Sequence, residues 1–219
     1  MIRKTLSLTL LIMLTFVILI GCGKKELLKT EIKSTDVALL SIFSFDGKKE
    51  STLGLMNLGH SFLSLENISS SPIEISNVTI DVGETIAIGT WSIKSHFGVW
   101  YNVESNYIND YNKYDGRISV TTGVSYDDID KITDYIISHD YWTPLTNCSC
   151  FALNLWNEVA EDGEKLDKPL IYNPTAIAKQ LVNFENYEIN REINTDNKFY
   201  YFDDKTPVFH YLEDNYVGI

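Results

Sequence analysis

Hydrophobic and polar residues alternate along the first half of the chain in the manner of β-strands. Residues 37–45 are apolar and β-prone, and they end at Asp46 and Gly47, a pair typical of turns. Residues 59–66 (GHSFLSLE) alternate between apolar and polar side chains. Further strands are predicted over residues 73–80, 85–91, 98–103 and 117–122. This half of the chain is therefore predicted to be a series of strands.

The pattern changes to helical spacing in the second half. Ser125 precedes an Asp-rich segment and is predicted to cap a helix that ends near His139. Residues 148–160 have helical spacing, and residues 174–184 begin with a proline, which is favoured in the first turn of a helix. The tail from Tyr187 alternates again and predicts one or two more strands. Strands, then helices, then strands predict an α+β domain rather than a series of βαβ units.

The start of the chain has the pattern of a bacterial export signal. Arg3 and Lys4 give a positive start, and residues 6–20 are almost wholly apolar. Because this run is too short for a comfortable transmembrane helix, residues 1–21 are predicted to be a signal peptide. The run ends in Leu-Ile-Gly-Cys, which resembles a bacterial lipobox and implies that Cys22 is lipidated and begins the mature protein. An ordinary signal peptide or an uncleaved anchor is the alternative.

Composition and charge narrow the class of protein further. The chain has 219 residues, of which 44% are hydrophobic, so residues 36–219 are predicted to form one domain, with residues 22–35 as a polar tether. The net charge is −12, and loss of Arg3 and Lys4 with the leader makes it −14. No nucleic-acid partner is expected, because such partners select a basic surface. A lipid on Cys22 would anchor the domain to the outer side of the cytoplasmic membrane.

Cys148 is the first residue of a predicted helix. It shares one face of that helix with Ala152 and Leu155, while Cys150 lies on a different face. A thiol in the first turn faces unpaired N–H groups and the positive end of the helix dipole, which favours the thiolate. Cys148 is therefore a candidate nucleophile, and the alternative is an inert buried thiol. Asn147 is placed to cap the helix whatever Cys148 does.

A thiol nucleophile also needs a base, and the chain has four histidines. His60 begins a strand of the sheet that the Cys148 helix would cover. His96 is predicted in a loop, His139 at a helix end and His210 in the tail. His60 is therefore the candidate base, and the alternative is a structural histidine.

Two motifs together resemble a known family. They are Gly-His-Ser-Phe-Leu at residues 59–63 and Asn-Cys-Ser-Cys-Phe-Ala at residues 147–152. In their order and context they resemble the circularly permuted branch of the NlpC-type, papain-like cysteine hydrolases, which includes relatives of lecithin:retinol acyltransferase. In that branch a histidine comes first, on a strand of an antiparallel sheet, and the cysteine follows at the N-terminus of a helix packed on the sheet. The resemblance covers residues 37–185 and implies that Cys148 is the nucleophile and His60 the base.

The resemblance also implies a fold, a reaction and a class of substrate. The fold is α+β, with an antiparallel sheet packed against a few helices. The reaction is hydrolysis of an amide or ester through an acyl-enzyme, without a cofactor, and backbone N–H groups near Asn147 and Cys148 would hold the oxyanion. An anchored location favours a cell-wall peptide as substrate. The alternatives are a thiol acyltransferase or esterase that acts on lipid acyl groups, and a non-catalytic lipoprotein that binds a ligand on the same fold.

A third polar residue that orients the histidine is also implied, on a strand beside it. If residues 67–71 form a simple hairpin turn, Asn77 lies about opposite His60 and can hold the ring. Glu84 is the next candidate if a strand is inserted. The alternative for both residues is an ordinary position in a turn or at a sheet edge.

No metal is expected from the sequence. Residues 127–130 are rich in aspartate but lack the glycine and the distal glutamate of a calcium-binding EF-hand loop. Cys148 and Cys150 have no nearby second pair of cysteines or histidines and do not resemble a zinc site. Two residues apart, they are also poorly placed for an unstrained disulfide, and Cys150 is interpreted as a bystander.

Overall fold

The computed structural model describes residues 27–47, 59–195 and 198–210, within which ten strands and four helices lie. The strands are β1 (Ala38–Phe45), β2 (His60–Asn67), β3 (Ile73–Ile75), β4 (Val78–Ile80), β5 (Thr85–Ile93), β6 (His96–Tyr101), β7 (Ile118–Val124), β8 (Glu188–Ile189), β9 (Phe199–Asp203) and β10 (Thr206–His210). The helices are α1 (Val103–Tyr111), α2 (Tyr126–Ser138), α3 (Cys148–Val159) and α4 (Pro174–Leu181). The predicted signal peptide and Cys22 lie outside the described residues.

Eight strands form one antiparallel sheet in the order β10-β9-β6-β5-β2-β1-β7-β8, and β3 pairs with β4 in a separate hairpin. The central strands β1 and β2 pair along their whole length, from Ala38 opposite Asn67 to Phe45 opposite His60. Helices α2, α3 and α4 follow one another between β7 and β8. The predicted α+β class, with an antiparallel sheet packed against a few helices, is confirmed.

The centre of the large sheet is buried on both faces. On one face, Leu63 of β2 packs in the main core with Leu155 of α3. On the other, Phe62 stacks on Phe43 of β1, with 4.7 Å between ring centroids, and packs in a second cluster with Ile193 from the tail of the chain. Strand β2 is therefore enclosed from both sides, although its alternating sequence indicated one buried face.

Helix α1 is an element that the sequence pattern did not predict. The strand expected over residues 98–103 ends at Tyr101, and Asn102 turns the chain with a left-handed backbone (φ 63°). Asn102 Oδ1 accepts a hydrogen bond from the Ala87 backbone N–H (2.9 Å), which ties the start of α1 to β5. The first turn of α1 consequently carries Glu104 into the interior, where it is fully buried.

The chain before β1 packs on the domain from residue 27 onward. The Leu28 backbone N–H donates to the Asn183 carbonyl (3.0 Å), and the Leu28 carbonyl accepts from the Glu185 N–H (2.7 Å). Thr30 is buried, and its hydroxyl accepts from Asn186 Nδ2 (2.6 Å) and donates to a backbone carbonyl of β7. Residues 27–35 of the predicted tether are thus part of the folded domain, because backbone and side-chain groups there find partners that the sequence pattern does not reveal.

Thr30→Val tests the docking of this segment. Valine keeps the shape of threonine but removes the hydroxyl, so the Thr121 carbonyl and the Asn186 amide each lose a hydrogen-bond partner. The free energy of unfolding, measured by urea denaturation, is expected to fall by about 1 to 3 kcal/mol. Thr79→Val, at an exposed position of β4, is the matched control and should change it by less than about 0.5 kcal/mol. Equal effects of the two substitutions would contradict the docked segment.

Candidate active site

Asn147 fixes the start of helix α3. Its Oδ1 accepts hydrogen bonds from the backbone N–H groups of Ser149 (3.0 Å) and Cys150 (3.1 Å), as an N-cap residue does. Its Nδ2 donates to the Tyr172 carbonyl (3.0 Å), in the loop before α4. The Asn147 side chain is therefore committed to the helix cap. In the predicted oxyanion region, the donor that remains is the Cys148 backbone N–H, which is in the first turn and has no acceptor within the helix.

A chain of buried hydroxyls seats this helix start on the sheet. Ser149 Oγ lies 3.2 Å from Ser61 Oγ of β2, which lies 3.0 Å from Ser44 Oγ of β1. Ser44 in turn donates to the carbonyl of Pro174, the first residue of α4 (2.7 Å). Because Ser61 follows His60 and Ser149 follows Cys148, the same contacts that dock the helix fix the histidine relative to the cysteine.

Cys148 is half-buried and in hydrogen-bond contact with His60. Burial opposes ionisation of the thiol, but His60 and hydrogen bonds from Ser61 and Ser149 together hold the pKa of Cys148 below its usual value of 9.0. Burial also disfavours the charged form of His60, yet Cys148 and Glu104 raise the pKa of the imidazole to about 10. The pair therefore favours a thiolate beside an imidazolium.

Glu104 of α1 holds the other side of the His60 ring. Glu104 Oε1 accepts a hydrogen bond from His60 Nε2 (2.8 Å) and another from Trp91 Nε1 (2.7 Å). The carboxylate is fully buried, and its Oε2 has no hydrogen-bond partner among the described residues. Because Nε2 is engaged by Glu104, Nδ1 is the ring nitrogen left for Cys148. Cysteine, histidine and glutamate thus form a connected series.

Aromatic rings pack around His60. Its ring centroid lies 4.3 Å from that of Trp91 and 5.8 Å from those of Phe62 and Tyr114. Tyr114 has a left-handed backbone (φ 58°), an uncommon conformation for a residue other than glycine. Its carbonyl accepts from the Arg117 backbone N–H (3.0 Å), which holds the turn. These rings exclude water from one side of the imidazole and restrict its rotation.

Gly89 of β5 makes room for the Glu104 carboxylate. A Cβ atom at this position would overlap with the carboxylate of Glu104. The contact is with a charged group that is already held by two donors, so it has little freedom to move away. A glycine in the middle of a central strand, where it otherwise weakens packing, is explained by this close approach.

Asn77 and Glu84, the predicted third groups, lie elsewhere. The β3–β4 hairpin stands outside the large sheet, so β5 rather than β4 is the neighbour of β2. Asn77 is exposed and its Nδ2 donates to the Asp204 carbonyl (3.5 Å). Glu84 is exposed and accepts from the Asp81 backbone N–H (3.1 Å). The carboxylate that contacts His60 is that of Glu104, which lies on a helix rather than on a neighbouring strand.

The sequence holds only a partial signal for Glu104. Val103, Tyr107 and Tyr111 recur every four residues, a spacing that indicates a helix. That spacing indicates neither the burial of Glu104 nor its contact with His60, which depend on how α1 crosses β5.

The other cysteine and histidines have different surroundings. Asn154 Nδ2 donates to the Cys150 sulfur (3.3 Å), and burial raises the pKa of this thiol. His96, the first residue of β6, forms a hydrogen bond between its Nε2 and Asp140 Oδ1 (2.8 Å). His139 stacks on the Tyr135 ring at the end of α2. Both cysteines are free thiols.

Comparison with protein-family models, with curated proteins and with solved structures gave no match to this chain. Within residues 27–47, 59–195 and 198–210, no helix combines the length and the apolar character needed to cross a membrane. In the same ranges, no three histidine, cysteine, aspartate or glutamate side chains are grouped as metal ligands.

Gly89→Ala tests the place of Glu104. The added methyl group should displace the carboxylate and loosen its bond to His60, at a cost of about 1 to 3 kcal/mol in the free energy of unfolding. The alkylation of Cys148 at neutral pH should slow with it. Gly163→Ala is the matched control, because a Cβ there meets nothing within 4 Å. If both variants keep the stability and the Cys148 reactivity of the wild type, a glycine at residue 89 is not required for the position of Glu104.

The pH dependence of thiol alkylation tests the thiolate–imidazolium pair. Since only the thiolate reacts, and the pKa is lowered for Cys148 but raised for Cys150, Cys148 should react with iodoacetamide at lower pH than Cys150. Its rate should fall only as the pH drops through the lowered pKa, while the imidazolium persists up to about pH 10. Mass spectrometry of each cysteine peptide gives the two profiles.

His60→Ala is the variant that identifies the cause. Burial raises the pKa of the Cys148 thiol, and the imidazole of His60 is the main group that lowers it. Without the imidazole the pKa should rise, so the alkylation profile of Cys148 should move to higher pH. An unchanged profile in His60→Ala, or identical profiles for Cys148 and Cys150 in the wild type, would show that the pair does not exist.

Proposed function

We propose that this protein is a cysteine hydrolase in which Cys148 is the nucleophile, His60 the general base and Glu104 the residue that orients and charges His60. The hydrogen bond from His60 to buried Glu104, with the Cys148 thiol in contact with the same ring, carries this proposal. A base held by a third group beside a nucleophile is the arrangement that activates a thiol for acyl transfer.

The reaction follows from these positions. His60 holds the proton of the Cys148 thiol, and the thiolate attacks the carbonyl carbon of an amide or ester. The oxyanion that forms lies near the Cys148 backbone N–H at the helix start. His60 then gives its proton to the leaving amine or alcohol as the C–N or C–O bond breaks. Water, with its proton taken by His60, then attacks the thioester carbon; the C–S bond breaks, the acid leaves, and the thiolate beside the imidazolium is restored.

The half-buried position of Cys148 suits this role. Glu104 and His60 are almost wholly buried, at 0% and 6% exposure, whereas Cys148 as a residue is only half-buried. A purely structural thiol needs no charged histidine beside it. Burial without such a partner raises the pKa of a thiol, as it does for Cys150. The contrast between the two cysteines supports a chemical role for Cys148.

The family in this proposal is the permuted branch of NlpC-type, papain-like cysteine hydrolases. Two observations support it: the histidine begins β2, next to the centre of an antiparallel sheet, and the cysteine later opens a helix packed on that sheet. The chain order, His60 before Cys148, is the permuted one.

The location and substrate belong to the same proposal. The Leu-Ile-Gly-Cys motif ending at Cys22 supports a lipoprotein anchored on the outer side of the cytoplasmic membrane. There the accessible amide bonds are those of cell-wall peptides, so we propose an amidase or endopeptidase of the wall. Hydrolysis needs no cofactor with these three residues.

Turnover of purified cell-wall peptides, followed by mass spectrometry, tests the reaction. Cys148→Ala should abolish it, and Glu104→Gln, which keeps an acceptor oxygen for His60 but removes the charge, should lower kcat/KM by roughly 10². Cys150→Ser is the matched control and should retain activity. An acyl group trapped on Cys148 would identify the intermediate.

The alternatives give different results in the same assay. Inactivity on wall peptides with acyl transfer from lipid esters to Cys148 would indicate an acyltransferase or esterase. Binding of a wall peptide with no acylation of Cys148, in a protein whose Cys148 alkylates no faster than Cys150, would indicate a binding module and would refute the hydrolase.

A further inference from the structure

Trp91 of β5 contacts both Glu104 and His60. It lies two residues after Gly89, so the two residues face the same side of the strand. Gly89 leaves the space that the Glu104 carboxylate occupies, and Trp91 Nε1 donates a hydrogen bond to that carboxylate (2.7 Å). One strand therefore supplies both the space for Glu104 and a donor to its charge.

The indole N–H complements His60 as a donor to Glu104. Among the described residues, Glu104 Oε1 accepts from His60 Nε2 and from Trp91 Nε1, and Oε2 has no partner. A fully buried carboxylate loses its hydration, and each hydrogen bond from a protein donor offsets part of that loss. Loss of the indole N–H would leave the carboxylate with His60 as its donor.

The ring of Trp91 is held in place by its neighbours. Its centroid lies 4.3 Å from that of His60, within the range of a cation–π contact with an imidazolium, and 5.6 Å from that of Tyr107 of α1. The residue is 7% exposed. Packing on both rings restricts rotation of the indole, so its N–H keeps its direction toward Glu104.

The reactive form of the site has more negative than positive charge. The Cys148 thiolate and the Glu104 carboxylate are both negative, and a single positive charge, on His60, lies between them. Excess charge in a buried site is unfavourable unless donors stabilise it. Without the indole N–H, the form with one more proton gains in population. That proton returns to Cys148, because a thiolate is more basic than a carboxylate.

Two tyrosines are the other titratable groups that the Glu104 charge affects. They are Tyr107, on α1, and Tyr114, in the turn before β7. Burial, followed by the charge of Glu104, raises the pKa of both hydroxyls above the usual value of 10.0. Both phenols therefore stay protonated near neutral pH, and the change of charge at that pH belongs to the series of Cys148, His60 and Glu104.

We propose that Trp91 is a positioning residue of the candidate active site: its indole N–H holds the charged Glu104 carboxylate against His60 and thereby maintains the thiolate of Cys148. This inference rests on the proposed function of Cys148, His60 and Glu104. It adds a fourth residue, which acts through Glu104.

Trp91→Phe tests the proposal, because it removes the N–H and keeps an aromatic ring beside His60. The alkylation of Cys148 by iodoacetamide is followed against pH in the full-length chain, by mass spectrometry of the Cys148 peptide. The midpoint of the profile should rise by about one pH unit, as expected for the loss of a hydrogen bond to a charged group. At a pH below both midpoints the rate should therefore fall about tenfold.

Trp100→Phe is the matched control. Trp100 packs in the same aromatic cluster as Trp91, but its Nε1 donates to the His96 backbone carbonyl (3.0 Å) rather than to Glu104. Both substitutions remove the same atoms from the core, so a general loss of packing would act in both. Trp100→Phe should keep the wild-type midpoint. Equal midpoints in the two variants would overturn the proposal.

Glu104→Gln shows whether Trp91 acts through the carboxylate. In that background Trp91→Phe should add no further shift of the Cys148 midpoint, because the charge that the N–H stabilises is already absent. A further shift of the full size would assign the effect to contact of the ring with His60 and would overturn the proposal.

A measurement on the unsubstituted side chain does not depend on whether Trp91→Phe folds. The indole N–H resonances of a sample with isotope-labelled tryptophan are recorded by NMR, and that of Trp91 is assigned by its proximity to the His60 ring. The Trp91 resonance should lie downfield, as for a donor to a charged acceptor, and should move upfield in Glu104→Gln. A resonance at the same position in both proteins would contradict the role of the N–H.

The outcomes separate this inference from the function on which it rests. If Cys148 of the wild type reacts at no lower pH than Cys150, the proposed function fails and the role of Trp91 fails with it. If the wild type shows the reaction of Cys148 at low pH and Trp91→Phe matches Trp100→Phe, the role of Trp91 is refuted and the proposed function stands.

Discussion

The hydrogen bond between His60 and Glu104 is the interaction on which the packing around the candidate active site depends. A fully buried carboxylate loses the hydration that stabilises its charge, and it is tolerated only with strong donors around it. His60 and Trp91 are those donors, and Gly89 leaves the space the carboxylate occupies. Because α1 carries Glu104, this helix must cover the face of the sheet opposite to the one that α3 covers. The same contacts that stabilise the carboxylate fix the imidazole, so packing and positioning of the base have one origin.

The contact between Cys148 and His60 forms where two layers of the domain meet. Cys148 belongs to the helices that pack on Leu63 and the main core, while the aromatic neighbours of His60 belong to the opposite layer. The buried hydroxyls of Ser61 and Ser149 fasten the first layer to β2 one residue away from the pair. Each half of the site is thus held by a different part of the core. Small changes in the seating of α3 would alter the sulfur–imidazole contact without unfolding the sheet.

The parts of the site that the sequence could indicate are those that depend on local pattern. Cys148 follows an N-cap asparagine at the start of a helical period, and His60 begins an alternating strand, so both could be chosen without coordinates. Glu104 could not, because its role depends on sheet order. The β3–β4 hairpin leaves the sheet and makes β5 the neighbour of β2, and α1 then crosses β5. The docking of residues 27–35 was missed for the same reason, since its partners lie about ninety or more residues away.

Glu104 and Cys148 share one imidazolium, and this shared charge bears on the order of steps in the proposed reaction. In the free protein burial disfavours the charged form of His60, while both Cys148 and Glu104 raise the pKa of the imidazole. Once the sulfur is acylated it carries no charge, and its contribution disappears. The pKa of His60 must then fall, which favours transfer of its proton to the leaving group and its subsequent action as a base toward water. Glu104 keeps the ring oriented through both steps because its bond is to Nε2, away from the sulfur. A carboxylate that is never exposed to solvent can therefore serve each half of the reaction without changing place.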